Sequence, residues 1–280
     1  HGVAELVRGV PALAALARED SAVCVEYERV FLRGVPLYES GFRSEDGQHG
    51  GPALGAVVER YDRVGFSEHR DARWRVAGAD HLGLELRCYA ALCAEEAEAW
   101  RSDTADVAMA TVEAERSFLS DHLSAWAPVA VRAATRIAGD GPYRPLFEAV
   151  EGFLAEEHDR LRPAPALGAP LPIEDLPEHV GPARLARLLL APARAGMWLS
   201  PADIEPAARA IGVPWRRSDT RTSLRHVIEA AIDEDELAAV LGALRPAVAG
   251  AGDEYRARAG SDGGNAAHWL AWADRASAMV

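Results

Sequence analysis

Apolar residues recur every three to four positions through most of the chain, the spacing that gives a helix one buried face. The first such stretch is Val3 to Ala17; a second, Ser21 to Leu32, follows the cap-like Glu19-Asp20-Ser21. A glycine-bearing loop over 33–53 intervenes, carrying Pro36, Tyr38 and Phe42. Pro52 stands where a first helical turn opens and predicts a helix to about Val64. Asp80 is placed as the N-cap of a long helix to about Arg101, and His81 can face Glu85 one turn on. Further helices are expected from Asp103 to near Leu123, from Pro128 to Gly139 and from Pro142 through Leu154. No period-two alternation of useful length appears, so the pattern predicts an all-α fold.

The helical period fails between Arg162 and Pro182, where six prolines sit among alanine, leucine and glycine. That segment reads as a linker or hinge over 162–182, dividing a helical core, 1–161, from a helical C-terminal extension, 183–280, packed on it. Within the extension, helices are expected at Ala183–Ala195, Ser200–Ile211, Thr220–Ile232, Glu234–Val248 and Asn265–Met279. Ser200-Pro201-Ala202-Asp203 is the sharpest start signal, a hydroxyl cap with proline in the first helical position.

Composition removes several functions. The chain has no lysine, so all 30 basic residues are arginine; a P-loop lysine, a Schiff base and a lysine general base are excluded. A net charge of −13 disfavours nucleic acid and suits a cationic peptide, although the same acidity also serves solubility. Cys24, Cys88 and Cys93 form no C-x-x-C pair and read as reduced, mostly buried thiols, which points to the cytoplasm. No apolar run reaches membrane-spanning length, and no secretory leader pattern opens the chain, so no membrane insertion is expected.

The search for chemistry is negative. There is no G-x-S-x-G, G-x-G-x-x-G or H-E-x-x-H, and no Glu-x-x-His pair of the di-iron kind. The nine histidines are scattered, so neither a metal nor a cofactor is expected, and no residue is assigned a catalytic role. Glu95-Glu96-Ala97-Glu98, the pair Glu113 and Glu115, and Glu156-Glu157-His158-Asp159 read as solvated helix faces. Two places stand out as binding candidates. One is the Arg33–Phe42 loop, whose plain alternative is an aromatic plug over a helix end. The other is the Asp80-His81 junction, whose alternative is a simple capping pair.

Taken in order, the motifs resemble the TorD/DmsD/NarJ family of redox-enzyme maturation chaperones. Tyr27-Glu28-Arg29-Val30-Phe31 and Pro36-Leu37-Tyr38-Glu39-Ser40 are similar to that family's aromatic helix end and Pro-x-Tyr-Glu-Ser loop. Gly78-Ala79-Asp80-His81 matches its Asp-His element, with Gly78 where the family carries proline. Glu115 to Pro128 resembles its helix ending in His-Leu-x-x-Trp-x-Pro. The resemblance implies a single TorD-like helical domain with a C-terminal extension. It also implies a cytoplasmic, non-catalytic chaperone with no cofactor, existing as a monomer or a domain-swapped dimer. Its implied partner is the apo catalytic subunit of a molybdopterin-dependent oxidoreductase and that subunit's twin-arginine leader. The runner-up is an assembly or scaffold protein that binds a folded partner without recognising a leader. Carried over by motif, Tyr27, Val30 and Phe31 would supply apolar groove surface. Asp80 and His81 would lie at the binding surface, Asp80 offering an arginine fork, with Tyr38 and Glu39 beside them.

Overall fold

A computed structural model describes residues 21–68, 78–162, 180–214, 219–261 and 266–279. Among these the chain is helical throughout: α1 Ser21–Tyr27, α2 Glu39–Arg43, α3 Gly51–Arg63, α4 Leu82–Arg101, α5 Ala105–Phe118, α6 Ser124–Ala138 and α7 Arg144–Leu161, then α8 Pro182–Leu189, α9 Pro192–Ala195, α10 Pro201–Ala210, α11 Thr220–Asp233, α12 Leu237–Ser261 and α13 Ala266–Ala278. No β-strand occurs among the described residues; an isolated antiparallel bridge joins Tyr38 to His81. The helix expected over Val3–Ala17 and most of the proline-rich 162–182 segment lie outside the described residues.

Helix starts follow local chemistry. Ser200 and Asp203 form a reciprocal capping box at α10, with Pro201 in the first turn. Asp219 accepts from the Thr222 N–H at 2.9 Å and caps α11. α6 stops at Gly139, whose φ of 55° lies in the left-handed region. Pro192 separates α9 from α8, so the single helix expected over Ala183–Ala195 is two.

The departures have physical reasons. α1 runs directly into a π-helical turn, Glu28–Leu32, and α5 into a second, Leu119–Leu123, so the chain stays helical from Ala105 to Ala138. Pro128 therefore lies inside α6 rather than opening a helix. The widened π turn just ahead of it is the kind of local register change by which a helix accepts a residue that donates no N–H. The next helix begins at Arg144, two residues after Pro142, and α5 begins at Ala105, with Asp103 in a left-handed turn at φ 56°. The 33–53 loop contains a short helix, α2, which the sequence missed because its cap is not local.

One apolar cluster joins the helices on both sides of the proline-rich segment. It includes Val30, Phe42, Tyr61, Tyr89, Phe118 and Trp126, and continues through Leu199, Ile204 and Leu224 to Trp269 and Trp272. α4 pairs with α5, α6 with α7, and α12 with α13, which also touches α6.

Candidate functional site

The loop before α2 and the turn before α4 are strapped together. The Leu82 N–H donates to Leu37 O and the Glu39 N–H to Asp80 O, each at 2.9 Å. The Asp80 carboxylate accepts from the Ser40 N–H at 2.9 Å, so it caps α2 from 40 residues away. The cap of α4 is His81, whose Nδ1 accepts from the Gly83 N–H at 3.0 Å; that acceptor role puts the ring proton on Nε2. Asp80 as the α4 cap, and a His81–Glu85 hydrogen bond, are thus both corrected. Asp80 is 1% exposed, so its carboxylate is spent inside the fold rather than open to an arginine fork. Gly78 is part of this arrangement: a Cβ there would lie 2.6 Å from Asp80 Oδ1. The family proline's place is taken by the residue that leaves Asp80 its room.

Replacing Asp80 with Ala strands the buried Ser40 N–H and is expected to cost about 2 kcal/mol. Asp80→Asn, which keeps an acceptor, should recover most of that loss. Urea unfolding of the three proteins measures both.

Behind the strap lie polar groups that the alternation of the sequence hides. Glu39 and Glu85 are both fully buried, and His122 is nearly so. His122 Nδ1 lies 3.0 Å from Glu39 Oε2, and the Arg43 guanidinium donates to Glu39 Oε1. Glu85 accepts from the Trp126 indole N–H at 3.1 Å, while its other oxygen has no partner that is a standing donor. Burial, then the charge of Glu39, hold the Glu85 carboxyl well above its ordinary range, and a hydrogen bond to Glu39 acts in the same direction.

The pH consequence has a definite sign. Below the ordinary carboxyl range both folded and unfolded chains hold the Glu85 proton. Above it the unfolded chain releases that proton first, so this group's contribution to stability falls as pH rises, by up to about 1.4 kcal/mol per unit, until folded Glu85 ionises. Glu85→Gln should flatten this component. The difference in unfolding free energy between variant and wild type is expected to grow in the variant's favour from pH 5 to pH 8. A constant difference would place Glu85 in its charged form.

Two aromatic groups reach the surface. Tyr38 sits between His49 and His81, with ring centroids at 5.2 and 5.0 Å, both edge-on. Burial lowers the affinity of both imidazoles for a proton. Further along, Phe31 packs against Tyr27 at 5.1 Å, Tyr143 at 5.0 Å and Phe147 at 5.7 Å. Tyr27 is 47% exposed and is flanked in sequence by Val25 at 66% and Leu32 at 68%. Val30, by contrast, is wholly buried and belongs to the core rather than to a groove wall. Carboxylates border this patch: Glu26 paired with Arg29, Glu28 with Arg33, and Asp140 and Glu148 with Arg144. Glu26 packs against Gly141, which brings the Asp140–Tyr143 turn beside α1.

The structure thus joins Tyr38 with His81 and, separately, Tyr27 with Phe31. Tyr143, Phe147 and His49 are the members that sequence reasoning missed, and Glu85, expected to face His81, lies instead beneath the strap, where it accepts from Trp126. Only Phe147 carried a signal, as part of the apolar side of its helix. The helices after the proline-rich segment brace the loop as well. The Trp198 indole N–H donates to Gly34 O at 3.0 Å and its ring lies 5.8 Å from Phe42. Arg194 donates to Glu45 O at 2.9 Å, and Gly47 packs against Ala191. Cys24 is exposed, unlike the buried thiol expected there; Cys88 is buried and Cys93 half-buried.

Residues 2–132 match the family model described as nitrate reductase delta subunit. No curated protein matches the chain, and no solved structure does.

Proposed function

Residues 2–132 belong to the nitrate reductase delta subunit family, one of molybdoenzyme-maturation chaperones, and from that premise we propose that this chain holds the apo catalytic subunit of a molybdopterin oxidoreductase by its twin-arginine leader. Its place of work is the cytoplasm, before export, and its role is binding rather than catalysis. Among the described residues no helix is long and apolar enough to cross a membrane.

The observation that carries this reading is the aromatic cluster of the half-exposed Tyr27 with the part-buried Phe31 and Tyr143, bordered by carboxylates, on a helical segment that also exposes Val25 and Leu32. A leader of that kind presents an arginine pair followed by an apolar stretch. Its apolar part gains by covering aromatic surface, and its guanidinium groups gain by reaching rim carboxylates. Asp140, whose side chain is fully exposed, is the rim group most open to exchange Arg144 for an incoming arginine. Asp80 and Glu39 act one step back, by fixing the loop that presents Tyr38 and His81.

Calorimetric titration of the full chain with a synthetic leader tests the reading. Saturable binding, a negative heat-capacity change and weakening by salt are expected. A leader with both arginines replaced by glutamine should bind at least about tenfold more weakly. Equal affinity for a catalytic subunit with and without its leader would instead support a scaffold that binds a folded partner.

A further inference from the structure

Away from the aromatic patch, α4, α5 and α7 converge on a group of ligand-type side chains that no spacing rule links. Cys93, Glu115 and Glu157 each bring one ligand atom to within 4.8 Å of the others. The geometry points to a divalent-cation site of the zinc type, with Cys93 Sγ, Glu115 and Glu157 as its protein ligands.

Glu115 is wholly buried, not on a solvated face, and its Oε1 is enclosed with no hydrogen-bond partner. The other oxygens are differently engaged. Arg160 donates to Glu115 Oε2 and to Glu157 Oε2, the latter at 2.6 Å, and the Tyr89 hydroxyl donates to the same Glu157 oxygen at 2.5 Å. Both carboxylates are therefore held through Oε2, and the enclosed Glu115 Oε1 is left without a donor. Arg160 also meets Glu96 at 3.4 Å, so one guanidinium faces three carboxylates. That excess of negative charge in a half-buried place is what a divalent ion neutralises.

Uptake replaces the S–H bond by an S–metal bond and releases one proton to solvent per ion. A thiolate with two carboxylates suits Zn²⁺ with water in the fourth position, whereas Mg²⁺ and Ca²⁺ favour oxygen ligands alone. The ligand atoms have to draw in to about 3.6 Å of one another around a tetrahedral ion, a shift that side-chain rotation supplies.

The full-length protein, stripped with chelator, would be titrated with Zn²⁺, Mg²⁺ and Co²⁺ salts. The expected result is one Zn²⁺ equivalent, strongly preferred over Mg²⁺, with release of about one proton. Co²⁺ should give a thiolate charge-transfer band in the near ultraviolet that Cys24→Ser leaves intact and Cys93→Ser abolishes. Cys93→Ser and Glu115→Gln should each weaken Zn²⁺ binding by at least about tenfold. Circular dichroism establishes folding, and Glu115→Gln stands in if Cys93→Ser unfolds. Absence of the Co²⁺ band from the wild-type chain, or Zn²⁺ affinity unchanged in both variants, overturns the assignment.

Discussion

Gly196→Ala is expected to destabilise the protein by about 3 kcal/mol, with a fall in melting temperature of roughly 10 °C. Two independent effects add here. Gly196 ends α9 with φ at 74°, a left-handed conformation that costs a residue with a Cβ about 1 kcal/mol. A Cβ built on it would also lie 2.3 Å from Ala276 N and 2.6 Å from Ala276 Cα, both backbone atoms of α13. A flexible side chain can rotate away, but a helix backbone has to move as a body. Moving α13 disturbs Trp269 and Trp272, which are buried in the shared core. Differential scanning calorimetry of the single variant checks this. A melting temperature within about 2 °C of the wild type would show that α13 does not press on this turn. Gly212→Ala is the control, because it has a positive φ of 68° but nothing within 4 Å of the new methyl. It should show the conformational cost without the collision.

What the sequence disclosed about the fold follows from the range of each signal. Helix faces, the Ser200 capping box and the all-α class rest on neighbours within one or two turns, and these are legible without tertiary information. The Asp80 cap is not. An aspartate just ahead of an apolar helix reads as that helix's N-cap, yet this one serves α2, and only the pairing of residues 37–40 with 80–82 makes that choice. Glu115 fails for the same reason. On α5 it stands two residues from Glu113, which is exposed, and nothing local says that Arg160 from α7 will draw it inside. The candidate site was half legible. Tyr27, Phe31 and the Tyr38–His81 pair came from ordered motifs. Tyr143 and Phe147 came only with the turn that brings α7 against α1. Val30 shows the converse error, since a motif position that looks like groove surface is a core residue once the π turn rotates it inward.

Replacing Tyr27 and Phe31 together by serine is expected to lower leader affinity by about 100-fold, the loss of two aromatic anchors at about 1–2 kcal/mol each. Because Phe31 is half-buried against Tyr143 and Phe147, the double variant also loses some stability, so affinity alone would not separate contact from collapse. Asp80→Ala provides the separation. It weakens the strap that positions Tyr38 and His81 but leaves the Tyr27–Phe31 patch untouched. If the leader lies on the aromatic patch, Tyr27→Ser alone should cost affinity with little change in melting temperature, since nearly half of that side chain is already in solvent. If the leader instead lies over Tyr38 and His81, the order reverses. Asp80→Ala then loses affinity while Tyr27→Ser keeps it. Two calorimetric titrations and two melting curves therefore decide which of the two aromatic groups is the binding surface. The patch around Phe31 has the stronger physical claim, because its exposed side chains have most apolar area to lose to a partner.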